Sequence, residues 1–123
     1  MNFDKKTKQI SENFFYDMNK FSKNDKYSQF SYQSKVHFML TCLIASKDGY
    51  GLSLEEIFES IDLKIASRST IQKVLEHGIA IEFYSKIKSI SDKRKKLYFL
   101  TKGSKKFFIN WIKRQKEIFN QNI

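Results

Sequence analysis

The segment SISDKRKKLYFLTKG, Ser89 to Gly103, sets the basic run Lys93–Lys96 directly against Leu97, Tyr98, Phe99 and Leu100. A charge run alone is ordinarily a solvated face, so its neighbours decide what it is. Just before it, IAIEFYSKI alternates Ile79, Ile81 and Phe83 against Ala80, Glu82 and Tyr84, the period of a half-buried strand. KKLYFLT is rich in residues that suit a pleated surface and reads as a second strand. KSISDKRK joins the two, which predicts a hairpin with a basic tip. Leu97 and Phe99 are the residues expected on its inward face.

Further upstream, SRSTIQKVLEHG predicts a short helix from Ser67 to His77. Ser67 is placed as N-cap, Ile71, Val74 and Leu75 form an apolar stripe, and Gly78 could supply a left-handed stop. DLKIA separates it from LSLEEIFESI, where Ser53 followed by Glu56 is the capping-box pattern. KVHFMLTCLIAS reads as a buried helix closed by the glycines of KDGYG. KNDKYSQFSYQSK, Lys23 to Lys35, is Ser-rich and poor in aliphatics, so a connector is expected there. Phe3, Ile10, Phe14, Phe15, Met18 and Phe21 recur at helical spacing, predicting a helix from Phe3 to Phe21. At the other end, Phe108, Trp111, Ile112, Gln115, Ile118 and Phe119 share one helical side.

The net charge of +10 gathers around the hairpin. Residues 86–106 carry nine Lys or Arg against Asp92 alone, whereas residues 51–85 are net acidic. Such a local field attracts polyanions. With 41 % hydrophobic residues, twelve Phe and six Tyr, the 123-residue chain can fill one core, and zero Pro with four Gly suits long helices. The expectation is a single domain over 1–123. Cys42 alone allows no internal disulfide and fits a reducing compartment. The longest apolar-leaning run, VHFMLTCLIA, is too short to span a membrane, and the N-terminus lacks a signal-peptide core. A cytoplasmic, nucleoid-associated protein is expected.

Helices followed by a two-stranded hairpin follow the plan of a winged helix-turn-helix: mainly α with a small β-hairpin, an α+β fold. In that plan residues 36–101 form the core and helix 67–77 enters a major groove. Ser67, Arg68, Ser69 and Thr70 open that helix, with Gln72 and Lys73 one turn on. Arg suits guanine, Gln suits adenine, and hydroxyls suit bases or phosphate, although Ser and Thr there are also ordinary caps. Lys86, Lys88, Lys93, Arg94, Lys95 and Lys96 would serve a wing, the arginine in the minor groove and the lysines on phosphates.

DKRKKLYFLTKG also resembles the wing of MarR-type (multiple antibiotic resistance regulator) transcription factors. Asp92, Arg94, Leu100 and Thr101 fall at that family's spacing, while Gly103 comes one residue early. STIQKVLEHGI resembles the family's recognition helix, with Gly78 one residue early, which leaves the helix–strand junction open. The likeness spans about Val36 to Trp111, and the short basic chain is similar to the SarA-like (staphylococcal accessory regulator) branch. It implies that Arg94 enters the minor groove with Asp92 fixing its orientation. It also implies that helices 1–22 and 104–121 form a homodimer interface, and that a small aromatic ligand could bind. Apolar surface at Phe14, Phe15, Met18, Phe108, Trp111, Ile112, Ile118 and Phe119 supports the pairing independently.

Other functional classes find less support. Cys42 reads as a small buried hydrophobe rather than a redox sensor. His37 and His77 stand far apart in sequence with no acid or Cys at metal spacing, so no metal or other cofactor is expected. No nucleophile–base pair or phosphate loop suggests an enzyme. The expected function is a dimeric, duplex-DNA-binding transcriptional regulator. The alternatives are a nucleoid-type or viral accessory protein with little sequence preference, and a winged-helix module that docks an acidic protein.

Overall fold

A computed structural model describes residues 1–120. Its elements run α1 (Lys5–Asn24), α2 (Lys26–Ser31), α3 (Lys35–Ser46), β1 (Leu52–Ser53), α4 (Leu54–Ser60), α5 (Arg68–Ala80), β2 (Tyr84–Lys88), β3 (Lys96–Leu100) and α6 (Lys102–Asn120). Residue 121, where the expected C-terminal helix ends, lies outside the described residues. The strands form an antiparallel sheet of order β1-β3-β2. The mainly helical α+β winged-helix plan is therefore present, with α4 and α5 as the helix pair and β2–β3 as the wing.

Helix starts follow local chemistry. Asp4, Asp25, Ser34, Ser53 and Ser67 each accept a backbone N–H at the start of their helix, satisfying donors that have no intrahelical partner. At α4 the box is complete: Glu56 N–H donates to Ser53 Oγ (3.2 Å) and Ser53 N–H donates to Glu56 Oε1 (3.0 Å). These bonds to Ser53, helped by the fields of Lys95 and Lys47, hold the Glu56 carboxyl below its usual range.

The Ser-rich segment Lys23–Lys35 is not merely a connector. It contains α2, whose Phe30 is central to the core, packed 4.6 Å from Phe83 and 5.7 Å from Tyr84 between ring centroids. The serines enter the interior because their hydroxyls find partners at once. Ser28 Oγ donates to Asp25 Oδ2 (2.9 Å) and Ser31 Oγ to the Ser28 carbonyl (3.3 Å), so burial leaves neither unpaired.

A second correction concerns Ile79–Phe83. Helix α5 continues through Gly78 to Ala80, and the strand begins only at Tyr84. The left-handed residue that ends the helix is Glu82, at φ 63°, not Gly78. Gly78 serves close packing instead: a Cβ there would stand 2.2 Å from Tyr84 Cδ2 and 3.1 Å from Phe30 Cζ. Gly78→Ala is accordingly expected to destabilise the fold by about 1–3 kcal/mol through overpacking, despite alanine's better helix propensity. A urea-unfolding midpoint at or above that of the parent would contradict this.

The wing presents the opposite face from the one expected. Register pairs Tyr84 with Leu100 and Lys86 with Tyr98, so Tyr98 is buried, while Leu97 and Phe99 sit half-buried on the other side. A one-residue change of register exchanges the faces of a strand, and the unbroken apolar run LYFL contains no alternation to choose between them. Gly51, at φ +75°, lies over Phe99 with no room for a side chain.

α6 closes the core through Phe107 and Ser104, whose hydroxyl donates to the Phe83 carbonyl (2.6 Å). It also binds α1. Asp17 accepts from Arg114 Nε (2.8 Å) and Gln115 Nε2 (3.1 Å), the Arg114 guanidinium lies 3.7 Å from the Phe21 ring centroid, and Phe14 packs edge-on against Phe119. The terminal helices therefore contact each other within one chain. Trp111 donates its indole N–H to Tyr32 and stacks on Phe108, and Ile118 is buried. By contrast α1 has no buried residue along its 20-residue length, and Phe15, Met18 and Phe119 remain 62 %, 42 % and 56 % exposed.

Candidate nucleic-acid interface

Helix α5 divides cleanly into two faces. Ile71, Val74, Leu75 and Gly78 are buried, and the opposite stripe carries Ser69, Gln72, Lys73 and Glu76, all exposed. That spacing of three and four residues puts the four polar side chains on one surface. Of the residues expected there, Ser69, Gln72 and Lys73 are together and outward-facing. Ser67 and Thr70 are turned to each other: Ser67 Oγ accepts from Thr70 N–H (3.1 Å) and donates to Thr70 Oγ1 (3.0 Å). The Arg68 guanidinium lies 5.2 Å from the Phe58 ring centroid, in a small recess with Glu55 and Glu59. These α4 carboxylates and Glu76 were absent from the sequence-derived site. Their negative charge limits how strongly α5 attracts phosphate.

The wing is ordered by its own backbone and by Asp92. Ser89 N–H donates to the Lys95 carbonyl (2.8 Å) and Lys95 N–H to the Asp92 carbonyl (2.9 Å). Asp92 Oδ1 accepts from Arg94 N–H (3.0 Å) and from Arg94 Nε (3.3 Å). The carboxylate thus steers the guanidinium while its side chain stays 93 % exposed, free to meet a ligand. An ion pair this open adds little to stability, so its effect is on orientation.

Between the wing and α4 lies a cleft of about 260 Å³ lined by Lys86, Arg94, Lys95 and Lys96, with Tyr98 and Glu55. Lys86 Nζ sits 5.5 Å from the Tyr98 ring centroid. Four of the expected cations are therefore gathered around one opening. Glu55 also lines the Arg68 recess, so the recess and the cleft adjoin. Lys88 lies elsewhere: it lines an apolar groove of about 410 Å³ with Tyr50, Ile87, Ile90, Leu97 and Phe99, and Lys93 is exposed. The hairpin accordingly has a basic side and an apolar side.

His37 and His77, distant in sequence, come within 5.9 Å between ring centroids, with Phe30 packed against both. His37 Nδ1 is 2.7 Å from Ser34 Oγ. Burial, then the neighbouring His77, pushes the His37 pKa down and disfavours its charged form. Among the described residues no group of three or more His, Cys, Asp or Glu is placed to hold a metal ion. Cys42 is exposed rather than buried, which corrects the expectation, because α3 turns it away from its buried stripe Val36, Leu40 and Ile44. Partial covering still pushes its thiol pKa up, which disfavours the reactive thiolate.

No protein-family model and no curated protein matches the chain. Two solved structures do. One is BpsR of Bordetella bronchiseptica, whose DNA binding is regulated by 6-hydroxynicotinic acid. It shares 16 % identity at a TM-score of 0.53, covering 96 % of this chain and 81 % of BpsR. The other is the heme sensor protein PefR in complex with heme and carbon monoxide, at 16 % identity and a TM-score of 0.54, covering 96 % of this chain and 80 % of PefR. At this identity the likeness is one of overall fold, extending over 96 % of this chain.

Proposed function

We propose that the chain is a homodimeric, MarR-type DNA-binding transcriptional regulator, acting by binding rather than catalysis. α5 would enter the major groove with Ser69, Gln72 and Lys73 foremost, and the wing would place Arg94 in the adjacent minor groove. The observation that carries this reading is the Asp92–Arg94 arrangement: an exposed guanidinium is held by a carboxylate at the edge of a cleft lined by three lysines. A groove's negative potential attracts such an arginine, and the lysines would displace counterions from flanking phosphates. Pairing is supported by α1, which has no fully buried residue within the chain and carries Phe15 and Met18 outward. BpsR and PefR respond to small ligands, and a small aromatic ligand for this chain belongs to the same reading. No helix among the described residues is long and apolar enough to cross a membrane, which is compatible with action on the nucleoid.

A second reading has its own support. Arg68 is drawn against Phe58 beside two carboxylates, so the base-reading surface of α5 is small beside the cationic wing. Duplex binding with little sequence preference would follow. Titrating fluorescent duplex at rising salt tests the shared premise. Affinity is expected to fall on the order of 10³-fold between about 50 and 200 mM salt for a dimer neutralising several phosphates. Salt-independent binding, or none, contradicts it. A ratio near one between selected and random duplex favours the second reading.

A further inference from the structure

Ile90 is 101 % exposed at the tip of the wing, within a segment whose other side chains include six cations between Lys86 and Lys96. Single exposed hydrophobics are ordinary, so exposure alone assigns nothing. Its setting is less ordinary. The tip is pinned from both sides: Ser89 N–H donates to the Lys95 carbonyl (2.8 Å), Asp92 N–H to Ser89 Oγ (3.4 Å), and Lys95 N–H to the Asp92 carbonyl (2.9 Å). Ser89 itself is buried. Ile90 therefore projects fully exposed from a hydrogen-bonded turn while lining one side of the apolar groove. On the opposite limb of the same turn Asp92 presents Arg94, also projecting.

A hydrogen-bonded turn that offers one branched apolar side chain and one oriented guanidinium matches what a DNA minor groove rewards. The groove is about 6 Å wide, which admits a hairpin tip. Its walls are deoxyribose C–H surface, and minor-groove proteins insert Ile, Leu, Phe or Met between base steps. The surrounding positive field brings the tip to a polyanion, and the isoleucine then meets surface that no lysine satisfies.

We propose that Ile90 is an apolar minor-groove wedge that acts beside Arg94, pressing on the sugar walls and opening a base step. The inference rests on the DNA-binding reading above and deepens it. A wedge adds affinity without releasing counterions, bends the duplex, and favours pyrimidine–purine steps, which unstack most easily.

The test uses the full chain with Ile90→Ser, Ile90→Leu and Arg94→Ala. Each is checked first by thermal melting, since Ile90 makes no burial for the fold to lose. Duplex affinity is read at several salt concentrations, and bending is read by energy transfer between dyes at the two duplex ends. Ile90→Ser is expected to bind roughly tenfold more weakly, as for loss of part of an isoleucine burial. Its log–log salt slope should match the parent, its bend should shrink, and its preference for pyrimidine–purine steps should disappear. Ile90→Leu should restore affinity and bend. Arg94→Ala should weaken binding and lower the salt slope by about one per protomer. If the parent binds duplex and Arg94→Ala weakens it while Ile90→Ser keeps parental affinity and bend, the wedge is overturned and the DNA reading stands. That outcome would leave the apolar side of the wing to a protein partner. If the parent binds no duplex, the DNA reading fails and the wedge with it.

Discussion

Replacing both Arg94 and Lys95 with alanine is expected to weaken duplex binding on the order of 100-fold at physiological salt while leaving the unfolding midpoint unchanged. Both side chains are exposed, and the Asp92–Arg94 pair is too open to stabilise the fold appreciably. Their contribution therefore appears only when a polyanion is present. Arg94 should account for most of the loss, because Asp92 holds its guanidinium in place and a flexible lysine must be ordered on binding. The log–log salt slope should fall by roughly two per protomer, one for each removed charge. Anisotropy titrations at three salt concentrations measure both quantities. Unchanged affinity in the double variant would show that the basic cleft does not meet DNA.

Placing two carboxylates on the exposed apolar side of α1 is expected to produce the other large effect. Phe15→Glu with Met18→Glu should convert a dimer into a monomer and reduce duplex affinity by roughly 10²-fold or more, since two linked half-site contacts become one. Both side chains are exposed within the chain, so the substitutions remove nothing from the core around Phe30 and Phe83. Helical signal should stay at the parental level, because the Asp17–Arg114 and Phe14–Phe119 contacts that hold α1 on α6 within the chain are untouched. Sedimentation equilibrium gives the first readout and circular dichroism the second. A parent chain that sediments at 14.7 kDa would remove the dimer from the account.

Local chemistry made much of the architecture legible. The capping box at Ser53 and Glu56, the cap at Ser67 and the KVHFMLTCLIAS helix each depend on contacts within a few residues. The basic hairpin was also readable, since Asp92 and Arg94 meet across a single turn. What escaped was set by distant partners. Ser28 and Ser31 looked like connector residues, yet Phe30 between them was claimed by Phe83 and Tyr84, more than fifty residues away. Gly78 looked like a stop signal until the Tyr84 ring came to rest against it. The alternation of Ile79, Ile81 and Phe83 suits a strand, but a helix that begins at a strong cap and continues through Gly78 overrides it.

The site divides along the same line. The sequence showed which side chains were cationic, but only the fold separates Lys86, Lys95 and Lys96 in the cleft from Lys88 beside the apolar groove. Arg68 was one of the candidate base readers by residue type, and Phe58 with its neighbouring glutamates draws it aside. Helical period puts Ser69, Gln72 and Lys73 on one exposed face, because the buried stripe at Ile71, Val74 and Leu75 leaves them no other.

Selection of bound molecules from a random duplex pool tests the central claim most directly. A dimeric winged helix with two copies of α5 predicts enrichment of an inverted repeat whose half-sites lie about one helical turn apart, with A·T-rich flanks where Arg94 would enter. Recovery of duplex with no enriched motif would contradict sequence-specific regulation. Failure to recover duplex at all would contradict DNA binding itself.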